Sequence, residues 1–289
     1  MKIAITGAAG LFGHGLMEVF ANGHTVFALT RAEMDITRQE QVAATISKIV
    51  PEVVIHAAAI PDPDTCEAEP AQAYLVNVHG TRFVVEAARH IGARVAYISS
   101  DAVFDGEKRT PYTENDAPRP ISVYGRTKLR AERVVLEAPN AWAFRVSVLF
   151  GPGKTNFVEK ALRKIAVGET STVAADQYAN ATYTLDAASK MREVIEAGRY
   201  GLYHLTNTAP CGRLELAQRA AEFAGLDPAK MLVKPLAEMG RRARRPQYAV
   251  MEMAALKQAG FSLPRSWSEA LKEYVASLGS LRPASADQY

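Results

Sequence analysis

A tyrosine and a lysine four residues apart supply the first candidate chemistry in the sequence. On a helix, Tyr124 and Lys128 would lie on one face and could converge on a single substrate atom. The pKa of a free tyrosine is about 10, and a nearby ammonium lowers it toward the range where the phenol exchanges protons. Ser99 and Ser100 stand at the carboxyl end of a predicted strand, and one of their hydroxyls could hold a carbonyl oxygen. We therefore predict that one of these serines, Tyr124 and Lys128 form a catalytic set that transfers a proton to a carbonyl group.

Three glycines near the start of the chain indicate a phosphate-binding loop. Gly7, Gly10 and Gly13 follow a predicted strand and open a predicted helix. The first glycine permits a tight turn, the second lets the backbone approach a diphosphate, and the third lets helix and strand pack closely. The diphosphate would then bind free N–H groups at the helix N-terminus. We expect this loop, with Leu11 and Phe12, to bind a dinucleotide.

The end of the second predicted strand bears on which dinucleotide is bound. NAD sites usually carry an acidic residue there, which binds the ribose hydroxyls. Here Arg31 takes that place, and a guanidinium suits the 2′-phosphate of NADP. Glu33 and Asp35 lie close by and leave NAD open, although Asp35 could instead contact the adenine. We predict NADP(H) as the cofactor, with Arg31, Asp35 and Ile36 in its site.

Short apolar runs alternate with helical patterns through the first half of the chain. The patterns predict strands at 2–6, 25–29, 53–56, 95–99 and 141–148, and helices at 14–21, 38–50, 68–91 and 122–137. This alternation predicts an α/β fold with a Rossmann-type, doubly wound parallel sheet. The alternation weakens after Gly151. We predict an NADP-binding domain at 1–150 with a return near 183–208, including a strand at 203–206, and a smaller substrate-binding lobe at 151–289.

Composition and charge limit the classes of function. The 289 residues are 48% hydrophobic, and the formal net charge of +3 suits a small anionic ligand but is too weak to indicate nucleic-acid binding. No apolar run is long enough for a membrane span. Cys66 and Cys211 are far apart and the histidines lack metal-ligand spacing, so we expect neither a disulfide framework nor a metal site. A cytoplasmic protein is the default expectation.

The order of these motifs resembles that of the extended short-chain dehydrogenase/reductases, and within them the dTDP-4-dehydrorhamnose reductases. The resemblance is carried by residues 7–13, 35–37, 51–59, 99–106, 111–114 and 124–128. It resumes at 156–158, at 176–177, at 245–246 and at Trp267, so it covers nearly the whole chain. The segment from residue 98 to residue 128 is its most specific part.

The resemblance implies an NADPH-dependent reduction of the 4-keto group of a dTDP-linked 6-deoxyhexose, which gives dTDP-rhamnose. Ser100 would stand at the family's catalytic threonine or serine, Tyr124 would be the acid and Lys128 its helper. The partner is then a nucleotide sugar, and a homodimer is a further expectation. Cofactor-site residues expected in addition are Ala57, Ala58, Ala59, Asn77 and Ser99, and the candidate substrate-binding residues are Asp101, Val103, Phe104, Asn156, Gln177 and Arg245.

Alternative functions follow from the same scaffold. A 4,6-dehydratase would carry an Asp-Glu pair after the catalytic hydroxyl, and Ala102 follows Asp101 here, which disfavours dehydration. A C4 epimerase uses the same catalytic set with tightly held NAD and stays open, as does a non-catalytic NADP-binding regulatory subunit. The reductases usually have Ser-Trp where this chain has Ser147 and Val148, so a related keto-sugar is also open. Tyr178 could replace that aromatic contact.

Overall fold

The computed structural model describes residues 1–279 and residue 281. Its strands are β1 (Lys2–Thr6), β2 (Thr25–Leu29), β3 (Val53–His56), β4 (Arg94–Ser100), β5 (Trp142–Val146), β6 (Val148–Phe150), β7 (Ser171–Ala174), β8 (Tyr178–Ala179), β9 (Ala181–Tyr183), β10 (Gly201–His204), β11 (Cys211–Gly212) and β12 (Met231–Lys234). Its α-helices are α1 (Leu11–Ala21), α2 (Gln39–Ile49), α3 (Pro63–Ala68), α4 (Pro70–Tyr74), α5 (Thr81–His90), α6 (Val123–Leu136), α7 (Phe157–Ala166), α8 (Thr184–Glu196), α9 (Arg213–Phe223), α10 (Ala254–Gln258) and α11 (Trp267–Ser277).

Six strands form one parallel sheet in the order β10-β5-β4-β3-β1-β2. Strand β3 is buried along its whole length and β4 along all but its first residue, as expected for a parallel sheet with helices on both faces. The strand order reverses at β1, so a crevice opens beyond the carboxyl ends of β1 and β3, where such sheets bind ligands. The predicted Rossmann-type fold is confirmed.

Two predicted elements are interrupted in the structure. The strand predicted at 141–148 stops at Val146, because β6 leaves the main sheet and pairs with β9 instead. The helix predicted at 68–91 starts on the last residue of α3, breaks at Glu69, and continues as α4 and α5 with a π-helical turn (Leu75–Gly80) between them. The strand predicted at 203–206 is present as β10, displaced toward the N-terminus, and it pairs with β5.

The buried apolar residues form clusters on both faces of the main sheet and in the C-terminal part of the chain. One cluster lies between the main sheet and helices α1 and α8, and includes Phe20, Trp142 and Phe144. Another lies among α7, α9 and α11, where the rings of Phe150, Tyr183 and Tyr274 pack together. Among the residues that the structure describes, no helix is both long and apolar enough to cross a membrane.

Candidate active site

The glycine loop joins β1 to α1 and has the backbone shape that the sequence predicts. Gly7 has a φ of +70°, and a Cβ there would meet the backbone nitrogen of Ala58 at 2.7 Å. A Cβ on Gly13 would meet the carbonyl oxygen of Gly7 at 2.2 Å. Gly10 is the N-cap of α1 and supplies no side chain to the first turn. The N-terminal N–H groups of α1 are therefore available to an anion, and the loop fits the diphosphate of a dinucleotide.

A cleft of about 890 Å³ runs from this loop across the carboxyl ends of the parallel strands. Most of the predicted site residues line it together, although they come from distant parts of the sequence. They are Gly7, Gly10, Leu11, Phe12, Gly13, Arg31, Asp35, Ile36, Ala57, Ala58, Ala59, Ser99, Ser100, Asp101, Tyr124, Lys128, Gln177 and Arg245. Four predicted residues do not line the cleft: Asn77, Val103, Phe104 and Asn156.

Arg31 lies at the end of the cleft beyond β2. Its side chain is 85% exposed, and its Nε lies 3.5 Å from Oδ2 of Asp35. Asp35 accepts hydrogen bonds from the backbone nitrogen and the hydroxyl of Thr37, at 3.0 and 2.7 Å, and these bonds hold its pKa below the usual value. The guanidinium is thus free to turn toward a ligand, whereas the carboxylate is committed to the chain.

The three predicted catalytic residues meet beyond the end of β4. Ser100 is the last residue of β4, and Tyr124 and Lys128 lie on α6, one turn apart. Burial raises the pKa of Tyr124, and a hydrogen bond with Ser100 partly opposes this rise. Lys128 Nζ donates to the carbonyl oxygen of Ile98 at 2.5 Å, and burial lowers its pKa to about 7. Near neutral pH the tyrosine is therefore a protonated phenol, and the lysine one helical turn away is readily titrated.

Asp101 is tied to this catalytic set through hydroxyl groups. Ser100 Oγ donates to Oδ1 of Asp101 at 3.0 Å, and Ser147 Oγ donates to Oδ2. Burial raises the pKa of Asp101, although these two bonds and the charge of Arg213 oppose it. Ser147, which lies between β5 and β6 and lines the cleft, is a site residue that the sequence argument did not assign.

Ser99 lines the cleft, but its hydroxyl faces a buried ion pair. Ser99 Oγ donates to Glu132 Oε2 at 2.6 Å. Arg145, on β5, donates to both oxygens of Glu132 at 2.6 and 2.9 Å, and Arg145 Nη1 lies 3.4 Å from His204 Nε2. This group joins helix α6 to strands β4, β5 and β10. The sequence carries a signal for Glu132, because it continues the four-residue spacing of Tyr124 and Lys128 along α6.

Asn77 acts on the site through the backbone. It lies in the π-helical turn, and its side chain accepts from the Ile60 nitrogen at 2.8 Å and donates to the Ile60 oxygen at 3.2 Å. It also donates to the Thr127 hydroxyl at 3.0 Å, between Tyr124 and Lys128 on α6. Asn77 thus connects the wall of the cleft at Ile60 to the helix that carries the catalytic pair.

Val103, Phe104 and Asn156 have structural surroundings that explain their absence from the cleft. Val103 and Phe104 are fully buried, and the Phe104 ring covers the guanidinium of Arg145 at 5.1 Å. Asn156 caps α7 by accepting from two backbone nitrogens, and its amide donates to the Tyr274 hydroxyl at 2.6 Å. The structure therefore does not place these three side chains against a substrate.

Three arginines of the C-terminal half of the chain, Arg213, Arg241 and Arg245, also line the cleft. Arg245 donates to Asp64 Oδ1 at 2.8 Å, and Arg241 lies 3.8 Å from the other oxygen of Asp64. Arg213, at the start of α9, lies 4.9 Å over the Phe157 ring, and burial lowers its pKa. Arg213 lines the cleft and was missed because no local pattern separates it from the other arginines.

The positions of Val148 and Tyr178 bear on the aromatic contact that the reductase pattern contains. Val148 lines the cleft at the place where the resemblance expects an aromatic side chain. Tyr178 is 48% exposed on β8 and is not among the residues that line the cleft. The structure thus does not place Tyr178 as a substitute for the missing aromatic contact.

Known proteins resemble this chain along almost its full length. SpsK of Bacillus subtilis (strain 168), a spore coat polysaccharide biosynthesis protein, is 34% identical over 276 residues, which cover 95% of this chain and 96% of SpsK. A dTDP-4-dehydrorhamnose reductase of Mycolicibacterium smegmatis is 34% identical over 96% of this chain and 86% of its own. The dTDP-4-dehydrorhamnose reductase from Bacillus anthracis, crystallised in complex with NADP, superposes with a TM-score of 0.91 at 33% identity and covers 96% of this chain and 100% of its own. The model of the RmlD substrate binding domain matches residues 1–280, and the chain belongs to that family.

Proposed function

We propose that this protein reduces the 4-keto group of dTDP-4-dehydrorhamnose with NADPH and so forms dTDP-rhamnose. The observation that carries the proposal is the convergence of Ser100, Tyr124 and Lys128 in the same cleft as the glycine loop. The names of relatives at about one third identity support the same reaction. A relative that binds NADP in its crystal structure supports the choice of cofactor.

The residues that would hold NADPH lie along one side of the cleft. Gly7, Gly10 and Gly13 would receive the diphosphate at the N-terminus of α1, and Arg31 would pair with the 2′-phosphate. The backbone of Ala57–Ala59 would line the groove toward the nicotinamide, and Lys128 would bind the nicotinamide ribose. When bound there, NADPH supplies the hydride.

We assign the proton in this reaction to Tyr124. Because burial keeps its phenol protonated at neutral pH, Tyr124 can donate a proton to the carbonyl oxygen as that oxygen gains charge. The ammonium of Lys128 stabilises the phenolate that remains. The hydroxyl of Ser100 donates to Asp101 in the structure, and it would turn to donate to the same carbonyl oxygen and so orient that oxygen toward Tyr124.

The substrate would occupy the other half of the cleft. Arg213 and Arg245 are suited to the diphosphate of a nucleotide sugar, since a guanidinium binds phosphate oxygens in pairs. Asp101 and Gln177 would bind the sugar hydroxyls. In this arrangement the domain predicted at 1–150, with the return near 183–208, would hold the cofactor and contribute Ser100, Asp101 and Tyr124 to the substrate site, and the lobe predicted at 151–289 would supply the other substrate contacts. The homodimer stays a prediction, which sedimentation velocity would test.

The test is direct. The protein is incubated with NADPH and the dTDP-4-keto-6-deoxy-L-hexose made by the enzymes that precede it, and the loss of nicotinamide absorbance is followed. We expect turnover for the natural protein and loss of turnover for Tyr124→Phe, with affinity for NADPH largely retained. Tight NADPH binding without turnover of any 4-keto sugar would contradict the reductase and favour a regulatory subunit. Interconversion of C4 epimers without net NADPH consumption would favour an epimerase.

A further inference from the structure

The ammonium of Lys128 lies against the face of an aromatic ring beneath the catalytic set. Nζ of Lys128 is 4.3 Å from the centroid of the Tyr97 ring, and the lysine side chain is buried. A cation over a ring face is attracted by the ring quadrupole, and the attraction is strongest where water is excluded. Tyr97 lies on β4, three residues before Ser100, so one strand supplies both the catalytic hydroxyl and this ring.

The Tyr97 ring is held in place by His56, on which it stacks. It stacks on His56 with the ring centroids 5.7 Å apart, and it is 1% exposed. Thr81 Oγ1 gives its hydrogen to the Asn77 carbonyl oxygen, so it accepts from His56 Nε2 at 3.0 Å. His56 Nδ1 then accepts from Thr6 Oγ1 at 2.6 Å. Both nitrogens of His56 are thereby committed, and the imidazole is a neutral, immobile support for the ring.

The phenolic oxygen of Tyr97 does not explain this placement. It is buried and has no hydrogen-bond partner among the described residues. A buried hydroxyl without a partner costs free energy, so hydrogen bonding of the hydroxyl does not account for a tyrosine at this position. What Tyr97 offers to its surroundings is its ring face, and that face is turned to Lys128.

The charges around Lys128 do little to stabilise its ammonium form. Glu132, on the same helix, favours the ammonium, but it is held by Arg145, whose positive charge offsets it. The other titratable groups that act on the lysine or lie against its surroundings are neutral near pH 7: Cys66 from α3, His56 from β3, and Tyr97 and Tyr124. Lys128 also donates to the Ile98 carbonyl oxygen, but this neutral group does not balance its charge, so the buried ammonium gains from a ring face.

We propose that Tyr97 is a positioning residue for the proposed reaction, and that its ring face holds Lys128 as an ammonium at the catalytic tyrosine. The inference rests on the proposed function only for the role of Lys128 in catalysis. The contact between Lys128 and the Tyr97 ring is present in the protein without cofactor or substrate, and it can be tested in that state.

The test is a titration of Lys128 in the cofactor-free protein. Lysine is labelled with ¹³C at Cε and followed by NMR from about pH 5 to about pH 10, and the Lys128 resonance is identified by its loss in Lys128→Met. In the natural protein we expect the pKa of this lysine at about 7. Tyr97→Phe keeps the ring and should leave the titration in place. Tyr97→Leu removes the ring and should move the pKa down by roughly one unit, as expected for loss of a buried cation–π contact.

A second substitution protects the test against misfolding. Tyr97→Met has an apolar side chain of comparable length, and it replaces the leucine variant if the latter unfolds. A lysine that titrates in Tyr97→Leu or Tyr97→Met as it does in the natural protein would overturn the proposal. So would a shift in Tyr97→Phe as large as that in the ringless variants. If Tyr97 had only a structural role, the ringless variants would have a lower unfolding temperature but an unchanged Lys128 titration. Activity measurements test the proposed reduction and are not part of this experiment, so the two proposals can fail separately.

Discussion

The buried ion pair between Glu132 and Arg145 should contribute strongly to stability, because neither charge can reach water if its partner is lost. The two side chains are 3% and 2% exposed, and they share two hydrogen bonds of 2.6 and 2.9 Å. Removing one member of such a pair costs about 3–5 kcal/mol, since an uncompensated charge stays buried. We therefore expect Glu132→Met and Arg145→Met each to lower the free energy of unfolding by about 3–5 kcal/mol.

The double substitution distinguishes this cause from a simple loss of packing. With both charges gone, the remaining cost is that of the Ser99 hydroxyl and the His204 ring, which lose hydrogen-bond partners, at about 1–3 kcal/mol each. The double variant should thus lose much less than the sum of the two single variants. The coupling free energy should amount to several kcal/mol, well above the roughly 0.5 kcal/mol within which independent sites add.

The assay is urea unfolding followed by circular dichroism, with free energies from linear extrapolation. Glu137→Met, at the exposed C-terminal end of the same helix, is the matched control and should change stability by no more than about 0.5 kcal/mol. The reasoning is refuted if either single variant loses less than about 1 kcal/mol, or if the single losses add up to that of the double variant.

Three further predictions concern the cofactor loop, the end of β2 and the buried histidines. Gly13→Ala should abolish NADPH binding in a fluorescence titration while the protein stays folded, because a Cβ there lies 2.2 Å from the Gly7 oxygen; near-normal affinity would contradict this. Arg31→Ala should weaken NADPH binding by about tenfold and leave NADH binding unchanged. An equal loss of affinity for NADPH and NADH would contradict a contact between Arg31 and the 2′-phosphate. His56 and His204 have pKa values of about 3 because of burial. As the pH falls below about 6.5, these histidines therefore bind protons in the unfolded chain but not in the folded protein. Stability should be full above that pH and fall by about 2 kcal/mol per histidine between pH 7 and pH 5, and a pH dependence that is the same in His56→Gln would contradict the assignment.

Much of the fold and of the cofactor half of the site could be predicted from local patterns. The strands at β1, β2 and β3 were found because each is a short apolar run with a clear end, and the glycine loop was found because its spacing has a steric reason. Glu132 and Arg145 were missed as a pair because they meet only when helix α6 packs against β5, and the packing of a helix on a sheet is not a local property of the sequence. Phe104 was assigned to the substrate because of its motif, whereas the structure uses its ring to cover Arg145.

The substrate half of the site was harder to predict for a similar reason. Ser147 lies at the break between β5 and β6, and Arg213 lies at the junction of β11 with α9, so no periodicity indicates which way their side chains point. Arg245 was found through a motif, but its contact with Asp64 joins residues far apart in the chain. Side chains of this kind are positioned by tertiary contacts between separate elements, and such contacts have no signature in a short window of sequence.

The π-helical turn between α4 and α5 sets the rotation of α5 about the helix axis relative to α4. A wide turn accommodates one residue more than an α-helix of the same length, and each residue advances an α-helix by about 100°. Deleting one residue from this turn would restore an unbroken helix but rotate its two halves relative to each other by that angle. Either Asn77 would turn away from Ile60 and Thr127, or α5 would turn its apolar side away from the sheet. The length of this short segment is therefore constrained, and insertions or deletions should be tolerated in the turn that follows α5, at 91–93, before they are tolerated here.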